Sequence, residues 1–409
     1  MRLSPAFSTA LLRSLFIQIA VFALFALLCF FFPRPGILNE TNFGNWDAAH
    51  YANIRSNGYS GFLVAFFPLF PWLWKISHLG AWGIAALNST LFLFSFAALL
   101  SHFRPSLKEH LLLQSIPSLV FMCIPYTEAL FFFCCTLVLI GLYKEKMLLI
   151  AGGLLLSSLC RPTTYIFIPA ILLILFCYRK PGKSVIPEGI LYTSVLLAGL
   201  FLTVCVHYYY TGIWFVFFKA QEGWSNSLRI PILPLRSWAG NNITRLDGTA
   251  LATGVFAGIA CLNACITYFK NKVLTVGKEV LFSLMYLAGI SLLILFFRGG
   301  SLFSLNRFVF ATPFFTLAFL YFLRNVRLQG KQIAYLFIGL SAFWLLFGSY
   351  VHIQAFLKYE LLSAFLLLPF LLTADLKWIS RISYILFLGT NLLLQAYFLY
   401  RFLGNEWIG

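Results

Sequence analysis

The chain has 409 residues, of which 61% are hydrophobic and only 10% charged, with a mean hydropathy of +0.89. A water-soluble domain of this length needs a charged exterior, so these values exclude one and point to a membrane protein. The 29 Lys and Arg against 12 Asp and Glu give a net charge of +17, but the cations sit in short clusters between apolar runs, which is a topology pattern rather than a nucleic-acid-binding face.

Taken in chain order, Arg2 and Arg13 precede an apolar run over 14–32. It is long enough to span a bilayer and no small-residue cleavage site follows, so a retained first helix is expected instead of a signal peptide. Residues 33–80 form a first long outer loop. Its 62–79 part carries Pro68, Pro71 and Lys75 and is expected to lie at the interface or re-enter. Apolar runs then cover 81–101, 110–124, 126–143, 147–160, 163–178 and 188–209. A second long outer loop over 210–248 separates these from runs at 249–269, 279–297, 308–323, 332–350, 354–373 and 382–401. The runs are continuous rather than alternating, and lipid leaves no partner for unpaired backbone groups. An all-α polytopic bundle of about 11–13 helices is therefore expected, with interfacial helices in the first outer loop. No repeat or soluble domain is evident, so 1–409 reads as one domain.

With the N-terminus inside, the cytoplasmic connections hold Arg104 and Lys108; Lys144 and Lys146; Arg179, Lys180 and Lys183; Lys270, Lys272 and Lys278; Arg324, Arg327 and Lys331; and Lys377 and Arg381. The positive-inside rule favours this orientation, provided that 62–79 does not fully cross. The nine Cys fall in or beside apolar runs with no metal-ligand spacing, so they read as packing residues.

The outer face of this topology carries Glu40, Asp47, Glu128, Glu222, Asp247, Glu360 and Glu406. In Asn45-Trp46-Asp47-Ala48-Ala49-His50-Tyr51 an acid stands three residues before a His, which on a helical turn places both on one face. A carboxylate pinned in the headgroup layer by Trp46 and Tyr51 suits a general base. From spacing alone the alternative stands beside it: Asp47 caps an interfacial helix and His50 is polar surface. Asp247, before Gly248, reads as an N-cap, and His207 with Tyr208–Tyr210 as an interfacial belt.

The run Trp46-Asp47-Ala48-Ala49-His50-Tyr51 with Gly58-Tyr59, followed by Ala65-Phe66-Phe67-Pro68-Leu69-Phe70-Pro71, resembles the hallmark of PIG-V-type mannosyltransferases of the GT-C superfamily. Pro125-Tyr126-Thr127-Glu128, Arg161-Pro162-Thr163, Phe218-Lys219-Ala220-Gln221 with Trp224, Asn306-Arg307-Phe308 near Pro313, and the final Trp407-Ile408 extend the likeness over most of the chain. The resemblance implies a GT-C-like transmembrane bundle and a sugar donor linked to polyprenyl phosphate. It also implies inversion by direct displacement, with Asp47 as the catalytic base in the first outer loop. Trp46, His50, Tyr51, Glu128, Gln221 and Trp224 are then expected to contact substrate. Arg161, Arg298 and Arg307, at outer helix ends, are expected to hold the phosphate, with headgroup snorkelling as the alternative for each.

Neither a cofactor nor a metal is expected, since no acidic pair offers itself for a nucleotide-sugar metal ion, and no P-loop supplies ATP-driven transport. A glycolipid, glycan or protein acceptor, surrounding membrane lipids and no nucleic acid complete the expected partners. The expected setting is a bacterial inner membrane, or the endoplasmic reticulum if the source is eukaryotic, with the site on the outer or lumenal face. A transporter or lipid flippase is the competing class, and an assembly subunit without activity a third.

Overall fold

The computed structural model describes residues 4–178, 184–224, 226–271, 274, 276–372 and 377–409. Arg2, Arg179, Lys180, Lys183 and Lys272, expected in cytoplasmic connections, lie outside the described residues. The first helix, α1 (Pro5–Phe31), begins where the Ser4 hydroxyl accepts from the Phe7 amide and Pro5 supplies a first helical position that needs no N–H. The first connection then holds a 3₁₀ turn (Glu40–Gly44), α2 (Asp47–Asn57), a second 3₁₀ turn (Gly61–Ala65) and α3 (Leu69–Ser77). With nine residues, α3 rises only about 14 Å against roughly 30 Å of hydrocarbon. It is too short to cross.

Next come α4 (Ala81–Phe103), α5 (Leu107–Gln114), a 3₁₀ stretch (Pro117–Cys123), α6 (Glu128–Lys144) and α7 (Met147–Cys160). After a 3₁₀ turn (Pro162–Ile166) follow α8 (Phe167–Cys177), α9 (Ile186–Thr211), α10 (Val216–Gly223), α11 (Asn241–Asn271) and α12 (Lys278–Phe297). The last part comprises α13 (Leu305–Phe310), α14 (Pro313–Asn325), α15 (Gly330–Trp344), α16 (Ile353–Leu371) and α17 (Lys377–Leu403). Among the described residues eight helices are long and apolar enough to cross a membrane: α1, α4, α9, α11, α12, α15 with its extension to Phe347, α16 and α17. The stretch before α6 and α6 itself make a ninth when taken together, bent by 103°. The chain has the makeup of a multi-pass helical membrane protein.

Two expected spans are broken. The run 110–124 is α5 plus the 3₁₀ stretch, interrupted ahead of Pro117, and 308–323 is α13 plus α14, interrupted ahead of Pro313. Each proline lacks the N–H that a continuous helix needs and disfavours helical backbone in the residue before it. Together with the short α7 and α8, these breaks reduce the expected 11–13 spans to the eight or nine above. The second connection is also shorter than expected. It covers 212–240, because α9 runs on to Thr211 and α11 starts at Asn241.

Contacts separate the two ends of the bundle. At one, Arg324 at the end of α14 reaches Glu109 at 2.8 Å and the carbonyl oxygens of Phe103 and Arg104 at 3.0 and 3.1 Å. Lys278 meets Glu145 there at 2.5 Å, and Arg13 donates to the Pro105 carbonyl at 3.4 Å. The basic connections therefore lie together. At the other end, Asn45 donates to the Phe402 carbonyl at 2.9 Å, Arg34 pairs with Glu406 at 2.8 Å, and the Leu235 amide donates to the Leu346 carbonyl at 2.8 Å. This end gathers both long connections and the last residues of the chain.

Helices α6 and α7 approach closely because Gly153 has no side chain; a Cβ there would lie 2.7 Å from Val138 Cγ2 and 2.8 Å from the Cys134 carbonyl oxygen. Gly153→Val should therefore force the pair apart and cost about 1–3 kcal/mol, as overpacking does. The check is the thermal melting temperature in detergent. Gly152→Val, whose added Cβ meets nothing within 4 Å, should melt close to wild type.

Candidate active site

The site begins with an unusual backbone. Trp46 has φ 57° and ψ −126°, a region that non-glycine residues rarely occupy and that carries local strain. The turn makes Asp47 the first residue of α2 and sends its carboxylate into the bundle. Asp47 does not cap α2; Trp46 occupies that position, without a side-chain capping bond. Instead the Asp47 amide donates to the Tyr126 hydroxyl at 3.3 Å, and its Oδ2 accepts from Arg307 Nη2 at 2.6 Å. Both side chains of that pair are close to nine-tenths buried, at 13% and 11% exposure.

Behind this pair lies a second. Glu128, the first residue of α6, is fully buried and its Oε1 pairs with Nη2 of Arg161 at the end of α7. Arg161 Nε donates to Thr127 Oγ1 at 2.8 Å. Arg307 Nε stands 3.6 Å from Glu128 Oε1 and so links the pairs. The order Asp47–Arg307–Glu128–Arg161 alternates in sign, the arrangement that offsets the desolvation of buried charges. The Phe308 ring lies 5.2 Å from the Arg161 guanidinium and 5.4 Å from that of Arg307, while Phe131 and Tyr126 face the same cations at 5.2 and 5.3 Å. Burial acts to lower the Arg307 guanidinium, but Asp47 and Glu128 outweigh it and hold the group above its ordinary value.

Arg307 is held by its own short helix. Ser304, with φ 67°, precedes α13 and makes no capping bond. The free amide of Asn306 is met from outside: it donates to Asp247 Oδ1 at 2.9 Å, and Asn306 Nδ2 donates to the same oxygen at 2.8 Å. Ser118 Oγ donates to Asn306 Oδ1 at 3.2 Å. Asp247, expected as the N-cap of its own helix, instead sits inside α11 and caps α13 across the bundle.

Around this core the other expected residues form two groups. His50 does not bond Asp47; its ring packs against Phe62, Phe66 and Trp224 at 5.2, 5.3 and 6.1 Å. Burial among these rings holds the imidazole below its ordinary value, with Asp47 pulling the other way. The ring of Tyr51 packs on Phe66 and Phe70, and its hydroxyl donates to Thr127 Oγ1 at 3.4 Å. Trp224 Nε1 donates to the Phe62 carbonyl at 3.4 Å. Gln221 and Arg298 belong to the second group through Asn226, which donates to Gln221 Oε1 at 2.6 Å and accepts from Arg298 Nε at 2.9 Å. His207 is buried against the Phe66 carbonyl and the Tyr59 ring rather than lying in an interfacial belt.

Sequence reasoning passed over Trp238. Its ring centroid lies 6.0 Å from that of Trp46 and 5.2 Å from that of Trp407, which are themselves 5.2 Å apart. Three indoles from three distant segments thus form one cluster, with Trp407 5.8 Å from the Arg307 guanidinium. The Nε1 groups of Trp46 and Trp407 are buried without a hydrogen-bond partner among the described residues. Buried indole N–H groups usually find one, so this cluster suits an oxygen-rich ligand. Among the described residues no three His, Cys, Asp or Glu side chains converge as a metal-binding group. Comparison of the chain with protein-family models, curated proteins and solved structures found no match.

Glu128→Gln should leave Arg161 buried beside a neutral partner. Breaking a buried pair from one side costs about 3–5 kcal/mol, so the detergent melting temperature should drop sharply. Glu128→Gln with Arg161→Met, which removes both charges, should regain much of the loss. A double variant no more stable than the single one would show that the pair does not act as a unit.

Proposed function

We propose that this protein is an inverting glycosyltransferase, with a GT-C-like bundle, that moves a sugar from a polyprenyl-phosphate donor to an acceptor hydroxyl. The observation that carries the reading is the Asp47–Arg307 pair, a carboxylate and a forked cation 2.6 Å apart at the end of the bundle that gathers the long connections. The resemblance of the Trp46–Tyr51 run to the PIG-V-type mannosyltransferases supports it, and makes mannose the expected sugar.

In this reaction the acceptor oxygen attacks the anomeric carbon while Asp47 takes its proton. The bond from that carbon to the phosphate oxygen breaks, and the polyprenyl phosphate leaves with the electron pair. Arg307 serves twice. It neutralises Asp47 before the donor arrives and then turns its fork to the phosphate, which frees the carboxylate for the proton. Arg161 is already paired with Glu128 and bonded to Thr127, so its part is to hold Glu128, and through it Arg307, in place. The three indoles offer flat apolar faces and two unpaired N–H groups to sugar rings.

A transporter reading predicts ionisable groups near the middle of the membrane. The four charges here gather at one end, which favours transfer chemistry. The basic connections at the opposite end favour a cytoplasmic position for that end. Cysteine substitutions test the orientation. Lys146→Cys and Lys331→Cys, at exposed positions, should be shielded from an impermeant thiol reagent in sealed right-side-out vesicles, whereas Ser60→Cys and Asn241→Cys should label above the wild-type background. The reverse pattern would place the site on the cytoplasmic side.

Asp47→Asn tests the chemistry. Asparagine preserves size and can still bond Arg307, but it cannot take a proton. General-base assistance contributes about 10² to 10⁴ in rate, so turnover of a polyprenyl-phosphate sugar by the purified variant in nanodiscs should fall by that factor. Wild-type turnover in this variant would remove Asp47 as the base.

A further inference from the structure

A cavity of about 940 Å³ opens between α11, α14, α16 and α17. Its wall is largely apolar, aliphatic side chains with rings among them, including Phe256, Phe315, Phe319, Phe365 and Phe387. A second cavity of about 870 Å³, at the end of the bundle that holds the site, shares Asn242, Arg245, Lys358 and Arg401 with the first. Neither cavity is lined by Asp47, Glu128, Arg161 or Arg307. They are two parts of one groove: an apolar slot with a polar mouth.

The mouth is cationic. No acidic residue lines either cavity among the described residues. Arg245 bonds Asn242 and lies 5.9 Å from the Tyr359 ring, contacts that leave its charge unopposed. Lys358 is exposed. Arg401 pairs with Glu406 at 2.6 Å, but the same carboxylate also serves Arg34 at 2.8 Å, so two cations share one anion. The slot beneath is open to the bilayer: Leu361 is 71% exposed and Phe256 39%. Along α17 its lining runs from Arg401 to Phe387, about 21 Å by helical rise. That exceeds the depth of one leaflet, half of the roughly 30 Å core.

We infer that this groove binds an anionic membrane phospholipid, its phosphate and net negative charge at Arg245, Lys358 and Arg401, its acyl chains along the apolar slot. A soluble anion has no use for the slot, and a neutral lipid has none for the cations. The assignment does not depend on the sugar-transfer reading.

Native mass spectrometry of the full chain, delipidated in detergent, provides the test. Phosphatidylglycerol and phosphatidylcholine with the same acyl chains are offered separately at equal concentration. Phosphatidylglycerol should be retained several-fold better. A basic residue near anionic lipid contributes roughly fivefold, so Arg245→Ala with Lys358→Ala should erase the preference. Arg245→Lys with Lys358→Arg should keep it and so control for folding. Asp47→Asn should retain the lipid as wild type does, even if the transfer reading fails. Equal retention of both lipids, or a preference untouched by the double alanine variant, would overturn the assignment. So would displacement of bound phosphatidylglycerol by an equimolar polyprenyl phosphate, which would give the groove to that lipid instead.

Discussion

Four charged side chains in a row, two acids and two guanidiniums, are the constraint around which one end of this bundle is built. An arginine does not escape burial by losing its proton, so Arg161 and Arg307, both buried, each require an anion. Glu128 and Asp47 supply them. The four come from α6, α7, α13 and α2, and their pairing therefore fixes how four separate helix ends meet. Rings fill what remains: Phe308 between the cations, Phe131 and Tyr126 outside them. The α5 segment and the 3₁₀ stretch after it serve the same end. They climb along α1, with Gln114 donating to the Ser14 carbonyl at 2.8 Å and Gln18 to Cys123 Sγ at 3.2 Å. They deliver Tyr126 and Thr127 to the floor of the site, where Asn88 of α4 clamps the carbonyls of Ile124 and Tyr126 at 2.7 and 2.9 Å.

How much of this was legible in the sequence follows from which interactions are local. Apolar runs mark segments withdrawn from water into lipid or protein, so the helical, membrane-spanning character was readable, and so were the charged residues too costly to bury idly. Continuity was not. Pro117 and Pro313 break runs that hydropathy joins, and a break costs nothing in mean hydropathy. The reading of Asp247 failed for a related reason. A cap for its own helix is a local expectation, whereas Asp247 caps α13 across 59 positions, and the packing of His50 on Trp224 from another connection carries no local signal either. Trp238 carried no local signal at all. Its neighbours Trp46 and Trp407 are brought to it only by the fold.

The two cations at the site are held unequally, and that inequality bears on what each can do. Arg161 has an ion pair with a fully buried glutamate, a bond to Thr127, and rings on two sides. To leave, it would abandon Glu128 in an apolar setting, a penalty of several kcal/mol. Arg307 has one short contact, to Asp47, and a longer one of 3.6 Å to Glu128. If its fork moves from Asp47 to an incoming phosphate, Glu128 remains beside it and the guanidinium keeps an anion on each side throughout. In the proposed reaction the carboxylate released by that exchange, the most exposed of the four side chains, would be the one an acceptor reaches. A row ending in an outer acid thus permits one exchange at its outer end while the inner pair stays closed. The strain at Trp46 has its place in the same arrangement. It stands at the turn that makes Asp47 the first residue of α2, from which the carboxylate meets Arg307.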